Sequence, residues 1–238
     1  LAKLFGVSVD VLFSYELMDD SAIELSKKIR EYYFEKQYDK GAELALDAIR
    51  RYPNHFDIIY QSASLFRMQG IERKNKEALE KALELYKRSC ILIGQKRDES
   101  ISELSIQVTI GEILISLDRT EEAYEHLKKY NYCGINNSLI GSMLANGENP
   151  KEALPYLSDS FLNNIVQLFR CCVSFANVYC KQNDYKMAYD VINMMYEFFK
   201  HLKKDGQVSY IDKLQVISLA IMAGIHAEIR QFKEAEKC

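Results

Sequence analysis

The sequence predicts an all-α protein, and three observations carry that prediction. Gly (10 residues) and Pro (3 residues) are scarce in the 238-residue chain, and apolar residues recur at helical spacing almost continuously from Ala22 onward. No stretch alternates β-branched and polar residues in the way that a half-buried strand requires. A small residue also recurs after successive polar breaks, which indicates pairs of helices that approach each other closely.

Several helix starts are signalled by the residues that precede them. Ser21 and Glu24 have the spacing of a capping box, in which each side chain binds a backbone N–H at the other end. Thr120 precedes two glutamates, and acidic residues favour a helix N-terminus. Asn149 followed by Pro150 gives an N-cap and a Pro at the first helical position. We therefore expect helices to start at these three places.

The breaks recur with a small residue at a matching position. These residues are Gly41, Ala78, Ala123, Ala153, Ala188 and Ala235, separated by 37, 45, 30, 35 and 47 residues. The intervals centre on the length of a helix–turn–helix repeat. Tyr38, Tyr185 and Phe232 lie three residues before three of them and are expected to fill the gap between helix pairs. Pro155 falls inside the predicted second helix of the fourth repeat, where it should break one backbone hydrogen bond and cost about 3 kcal/mol unless the helix kinks or ends there.

These units resemble the tetratricopeptide repeat (TPR), which has small residues at its eighth and twentieth positions and aromatic residues at its eleventh and seventeenth. Residues 22–55 match through Leu25, Tyr32, Tyr38, Gly41, Ala45, Ala48 and Pro53, and the stretch from Phe169 matches through Ala176, Tyr179, Tyr185 and Ala188. Gly111 and Gly141 occupy the eighth position of the third and fourth units. The resemblance implies a TPR-like right-handed superhelix of about five to six antiparallel helix pairs over residues 21–238, cut off in the last repeat.

The opening stretch, LAKLFGVSVDVLF, has a different character. Gly6 can end one short helix and Ser8 can cap the next. The stretch resembles the C-terminal end of an XRE/Cro-type helix-turn-helix domain, and the matching residues are Leu1, Ala2, Gly6, Val7, Ser8, Asp10 and Leu12. The resemblance implies that residues 1–14 end a truncated DNA-binding domain and that residues 15–20 link it to the repeats. The alternative is a helical cap that covers the first repeat.

Composition and motifs argue against several other classes of protein. A net charge of −3 and a pI near 5.9 give no general attraction to phosphate backbones, and no apolar run approaches a membrane span or a signal peptide. The six cysteines lack paired spacing, which is typical of a reducing cytoplasm, and FRCCVSFANVYC (residues 169–180) is interpreted as a packed inner helix. The four histidines are far apart and no nucleotide-binding motif occurs, so no enzyme activity, metal or cofactor is expected.

Candidate ligand-binding residues follow from the TPR resemblance, because in that repeat the first helix of each pair lines the concave face. They are Arg30, Tyr33, Tyr60, Arg67, Glu112 and Asn177. Arg30 or Arg67 can hold a carboxylate with two hydrogen bonds, and Asn177 can donate to and accept from a peptide backbone. No residue of this chain is assigned to DNA binding, because the recognition helix of such a domain would lie upstream.

The two resemblances together imply a cytoplasmic DNA-binding transcriptional regulator of the XRE family. Its TPR domain would act as a ligand sensor, with a short peptide as the candidate ligand, and as a dimerisation module. The expected partners are operator DNA, through the missing N-terminal domain, and a second copy of the chain, with no membrane association. The alternative is a TPR scaffold that binds a partner protein through its concave face and has no DNA role.

Overall fold

The computed structural model describes residues 9–202, 206 and 208–229, with the backbone alone described for residues 9–19. Within these residues the chain forms ten α-helices, three short 3-10 helices and no β-strand, which confirms the all-α prediction. The α-helices are α1 (Val9–Phe34), α2 (Tyr38–Arg51), α3 (Phe56–Glu72), α4 (Lys76–Leu92), α5 (Glu103–Ser116), α6 (Thr120–Lys129), α7 (Asn137–Ala145), α8 (Ala153–Lys181), α9 (Tyr185–Leu202) and α10 (Tyr210–Glu228). The 3-10 helices are Ile93–Gln95, Tyr132–Gly134 and Pro150–Glu152.

The chain divides into two compact units, Leu1–Leu157 and Ser158–Cys238. In the first unit a single buried cluster extends from α1 to α6 and includes Ile29, Phe56, Leu85, Ile110 and Ala123. In the second unit the rings of Phe169 on α8 and Phe199 on α9 meet edge to face, with centroids 5.4 Å apart, and Leu214 of α10 joins the same cluster. Each unit therefore has an apolar core of its own.

Four of the connections between helices share one turn. Lys36, Lys74, Asp118 and Asn183 have φ values of 58°, 52°, 61° and 60°, in the left-handed region. In each case the next residue donates its backbone N–H to the carbonyl five residues before it, at 2.9–3.0 Å. This is the Schellman motif, which satisfies the free carbonyl groups at a helix C-terminus. The polar breaks in the sequence are therefore repeated helix ends of the same geometry.

The small residues at the matching positions allow the close packing that was predicted. Gly41, Ala78, Ala123, Ala153 and Ala188 are all buried, and Ala235 lies outside the described residues. Tyr38 is buried and Tyr185 is half-buried against the core of its unit, whereas Phe232 lies outside the described residues.

Glycines on the first helices of two pairs face leucines on the second. A Cβ on Gly111 of α5 would overlap Leu127 of α6, and a Cβ on Gly141 would stand 2.6 Å from Leu157 Cδ2. The glycines at the eighth position therefore serve close approach between helices, as the repeat pattern predicts.

The start of α1 differs from the prediction. The helix runs without a break from Val9 through residues 15–20 and Ser21 to Phe34, so the predicted linker is helical and Ser21 is not an N-cap. The physical reason is that residues 9–34 contain neither Gly nor Pro. Residues 1–8, which carry most of the helix-turn-helix resemblance, lie outside the described residues. The domain boundary at residue 14 stays a prediction.

The long helix α8 departs from the pattern of separate pairs. The predicted second helix of the fourth repeat and the first helix of the fifth are one helix of 29 residues. Residues 156–181 contain no Gly or Pro, so nothing ends the first before the second begins. Pro155 lies in the first turn of α8, where its missing N–H costs no intrahelical bond, and the predicted break at Pro155 is wrong.

Candidate functional site

Five of the six predicted ligand-binding residues lie in the first unit, on helices that begin successive pairs. They are Arg30 and Tyr33 on α1, Tyr60 and Arg67 on α3, and Glu112 on α5. The sixth, Asn177, lies on α8 in the second unit and is exposed. The name "α1–α3–α5 face" is used below for the five residues of the first unit.

An ion pair joins two of these helices. Arg67 Nη2 donates to Glu112 Oε2 at 2.6 Å, and the two side chains are 27% and 38% exposed. Arg67 Nε is buried and has no hydrogen-bond partner among the described residues. Arg67 therefore already has a carboxylate partner, and the pair connects α3 to α5 across two successive helix pairs.

Tyr60 is half-buried at the middle of the face. Its ring stacks on Phe56, with centroids 5.5 Å apart, and meets the edge of Tyr86 at 5.8 Å. Burial is the main cause that raises the pKa of Tyr60, the Asp98 carboxylate raises it further, and the guanidinium of Arg67 opposes the rise. The phenol therefore stays protonated at neutral pH and can both donate and accept a hydrogen bond.

Ser64 and Tyr86 complete the packing beneath Tyr60. Ser64 Oγ donates to the Tyr60 carbonyl at 3.0 Å and lies 3.0 Å from Tyr86 Oη. Burial raises the pKa of Tyr86 to about 12, against the smaller opposing effect of the Ser64 hydrogen bond. Tyr86 lies on α4 and was not predicted, because the repeat pattern assigns ligand contacts to the first helix of each pair.

The end of α1 presents an exposed aromatic group beside a cation. Phe34 is 65% exposed, and its ring centroid lies 5.5 Å from Arg30 Cζ and 4.8 Å from the centroid of Tyr33. Arg30 is exposed, so its guanidinium can reach a group in solution while it covers one ring face. Glu112 belongs to the face, and the Asp98 carboxylate interacts electrostatically with Tyr60 and Arg30. The face therefore carries charges of both signs and offers no uniform field for a polyanion.

The second unit differs from the interpretation of residues 169–180 as a packed inner helix. Phe169, Cys172 and Ala176 are buried as expected. Cys171 and Phe175 are exposed instead, because a helix with neighbours on one side buries only one of its faces. Periodicity alone did not indicate which face of this apolar segment lacks neighbours.

The histidines and acidic residues form no metal site within the described part of the chain: no group of three or more His, Cys, Asp or Glu side chains is placed to hold an ion. His126 has a structural role, since its Nε2 lies 2.9 Å from the Gln107 carbonyl and burial lowers the pKa of the ring. In residues 9–202 and 208–229 no helix combines the length and apolar character that crossing a bilayer requires.

No protein-family model matches the chain, and no curated protein matches it. Among solved structures, a putative kinesin light chain from Podosopora anserina with nearly identical TPR-like repeats is 14% identical, covers 92% of each chain and has a TM-score of 0.35. The de novo designed helical repeat protein DHR64 is also 14% identical, with 94% of this chain and 98% of that chain covered and a TM-score of 0.24. The assignment to helical repeats therefore rests on the helices, turns and small residues of this chain.

Proposed function

We propose that this chain is a protein-interaction module whose first unit binds an extended segment of a partner, such as a short peptide, on the α1–α3–α5 face. The observation that carries the proposal is the half-buried Tyr60, which has Arg30, Tyr33 and Arg67 around it on helices of successive pairs. A segment lying across these helices would meet aromatic surface and fixed polar groups at the same time.

The chemistry of the face suits a peptide better than a polyanion. The hydroxyl groups of Tyr33 and Tyr60 can bond to backbone N–H and C=O groups, and Phe34 can cover an apolar side chain. Arg30 is the residue that would bind a carboxylate of the partner, because Arg67 is already paired with Glu112. Glu112 Oε1 remains available to accept an N–H. The ligand class is therefore a peptide with an acidic group near an apolar residue.

The test is a peptide selection on the 238-residue protein, followed by fluorescence anisotropy with the peptides obtained. Tyr60→Ala and Arg30→Ala are expected to weaken binding by about tenfold or more, as anchors in the middle of an interface do. Lys28→Ala is the matched control, since this exposed residue lies on α1 about 200° around the helix from Arg30. Equal binding by wild type and Tyr60→Ala, or no selected peptide, would contradict the proposal.

A second candidate function is the ligand-responsive DNA-binding regulator, and the sequence LAKLFGVSVDVLF supports it. In that function a peptide on the α1–α3–α5 face would favour one arrangement of the helix pairs and thereby change the affinity for an operator. Anisotropy of the full-length gene product with DNA from its own promoter region tests this, at two salt concentrations and with the selected peptide. Competitor-resistant binding that changes with the peptide is expected, and purely non-specific binding would count against it.

A further inference from the structure

One face of α8 in the second unit exposes large apolar side chains. Phe161, Leu168 and Phe175 are 55%, 48% and 57% exposed and follow one another at intervals of seven residues. Cys171 and Val178 lie three residues after Leu168 and Phe175 and are also exposed. The name "α8 stripe" is used here for positions 161, 164, 168, 171, 175 and 178, of which Asn164 is the one amide.

The spacing of the α8 stripe is that of a helix that packs along another helix. Steps of three and four residues average about 3.5 residues per turn, the period at which two helices stay in contact along their length. The stripe extends for about 26 Å, enough for several turns of contact. Cys171, Phe175 and Val178 of the stripe, together with Arg170 and Ser174, line a shallow, open apolar depression of about 340 Å³ against which a side chain of a facing helix can pack.

The charge of this region favours one kind of partner. Arg170 is the one charged side chain in residues 160–180, and it lies off the stripe. The exposed polar side chains that border the stripe, Gln167 and Ser174, are neutral groups with both donors and acceptors. Such a face is not complementary to an acidic or basic partner, but it is complementary to a copy of itself.

Asn164 indicates the orientation of that copy. In a parallel, in-register pair, the two Asn164 side chains face each other, and each amide can donate to the oxygen of the other. In an antiparallel pair centred on the stripe, Asn164 would face Phe175 and gain no hydrogen bond across the pair, so that only the 3.4 Å bond from its Nδ2 to Ser160 Oγ on the same helix would remain. The single amide therefore favours the parallel arrangement.

We propose that a second copy of this chain packs its own α8 stripe against this one, parallel and in register, and that the protein is a homodimer through α8. The inference goes beyond the peptide-binding proposal and does not rest on it. It concerns the second unit alone, whereas the α1–α3–α5 face belongs to the first.

Sedimentation velocity of the 238-residue chain, from about 1 to about 100 µM, tests the dimer. Wild type is expected to sediment as a dimer, and Leu168→Glu or Phe175→Glu is expected to raise the dissociation constant by about 30-fold or more. Asn163→Glu, which adds the same charge on α8 about 110° from the stripe, should leave it unchanged. All three residues are exposed, so unchanged helix content of the variants by circular dichroism separates loss of pairing from loss of fold. A wild-type monomer at every concentration would overturn the proposal, as would equal weakening by Asn163→Glu.

Cys171 gives a second, independent readout. Diamide oxidises two thiols to one disulfide and takes up the two electrons and two protons, so a chain with Cys133→Ser and Cys238→Ser should form a covalent dimer through Cys171. Cys133 is exposed in the first unit, and a chain that keeps Cys133 but carries Cys171→Ser and Cys238→Ser should stay largely monomeric. Failure of Cys171 to cross-link better than Cys133 would overturn the proposal.

The register of the pair has its own test at the amide position. Asn164→Cys is introduced into a chain in which Cys133, Cys171 and Cys238 are all changed to Ser, and the protein is treated with diamide. The parallel, in-register pair brings the two introduced thiols face to face, so a covalent dimer is expected. An Asn164→Cys chain that does not cross-link would overturn the parallel arrangement.

Discussion

The first unit covers most of its apolar surface by packing one helix pair against the next, whereas the second unit leaves a line of apolar side chains on α8 in solvent. Of the described residues, seven large apolar side chains are exposed in the first unit and eleven in the second, although the second unit is the shorter of the two. Four of these eleven, Phe161, Leu168, Phe175 and Val178, lie on α8, and contiguous exposed apolar surface is typical of an interaction site. The two proposals made above accordingly concern different units: ligand recognition concerns the first and self-association the second.

In the first unit, ion pairs also connect the turns of successive helix pairs. Lys36 Nζ lies 2.7 Å from Glu72 Oε1, and Lys76 Nζ lies 2.6 Å from Asp118 Oδ2. Each pair joins the turn of one helix pair to the turn of the next and is largely exposed, so its contribution to stability is small. The arrangement of the helices in the first unit is determined mainly by close packing at glycine and alanine residues. The ion pairs help to align successive turns.

The largest expected effect comes from adding one methyl group between α5 and α6. Gly111→Ala should destabilise the protein by about 1–3 kcal/mol, because the new Cβ overlaps Leu127 in a close-packed interface. Gly224→Ala on α10 is the matched change in the second unit, where the Cβ meets nothing within 4 Å, and it should stabilise by up to about 1 kcal/mol. Urea unfolding measures both. Stability changes of the same sign would show that packing does not distinguish the two sites.

The next largest loss of stability is expected on removal of a buried amide in the first unit. Asn136 Nδ2 donates to the carbonyl groups of Leu127 and Tyr130, at 3.0 and 3.2 Å, and thereby caps the C-terminus of α6. Asn136→Ala should cost about 1–3 kcal/mol, since these acceptors lose a partner in a site closed to water. Asn146→Ala is the control, because the Asn146 amide is exposed and donates to Ser142 at the surface. Urea midpoints that fall equally for the two variants would contradict the role given to Asn136.

Replacing a left-handed residue of the shared turns by Gly should increase the stability of the protein. Lys74 has φ of 52°, a conformation in which a Cβ is crowded and Gly is not. Lys74→Gly should therefore raise the free energy of unfolding by about 0.5–1 kcal/mol. Lys27→Gly, at an exposed position inside α1, should lower it by a similar amount because Gly disfavours a helix interior. Thermal melts with the opposite order of these two variants would argue against the turn geometry.

The smallest effect is a dependence on pH through His126. Burial lowers the pKa of this ring in the folded state, so below the ordinary pKa near 6.5 the unfolded chain binds the proton more readily. Stability should therefore fall as the pH decreases from about 7 to about 5.5. His126→Gln should reduce this dependence, and His201→Gln, an exposed control, should not. Equal slopes for wild type and His126→Gln in urea titrations at the two pH values would contradict the assignment.

Local chemistry in the sequence predicted much of the first unit. The recurring small residues and polar breaks predicted the helix pairs, and the five proposed residues on α1, α3 and α5 lie on one set of first helices. The Arg67–Glu112 ion pair could not be predicted, because its partners are 45 residues apart and depend on how two helix pairs pack. The contribution of Tyr86 was missed for the same reason, since it reaches Ser64 from a second helix.

Long helices show where local signals mislead. The capping-box spacing at Ser21 also occurs inside helices, and continuity of the helix through residues 15–20 depended on the absence of Gly and Pro. The same absence in residues 156–181 predicts the continuous α8 more reliably than the repeat period does. Which side of α8 is exposed was not predictable, because buried and exposed apolar residues alternate with the same helical period.

One titration tests most directly whether the peptide site and the α8 stripe are independent of each other. Isothermal titration calorimetry measures binding of a selected peptide to the Phe175→Glu chain, which we expect to be a folded monomer. We predict one peptide per chain and a dissociation constant within about twofold of wild type, because the peptide site and the α8 stripe are independent. A Phe175→Glu chain that loses peptide binding as well as dimerisation would contradict this independence.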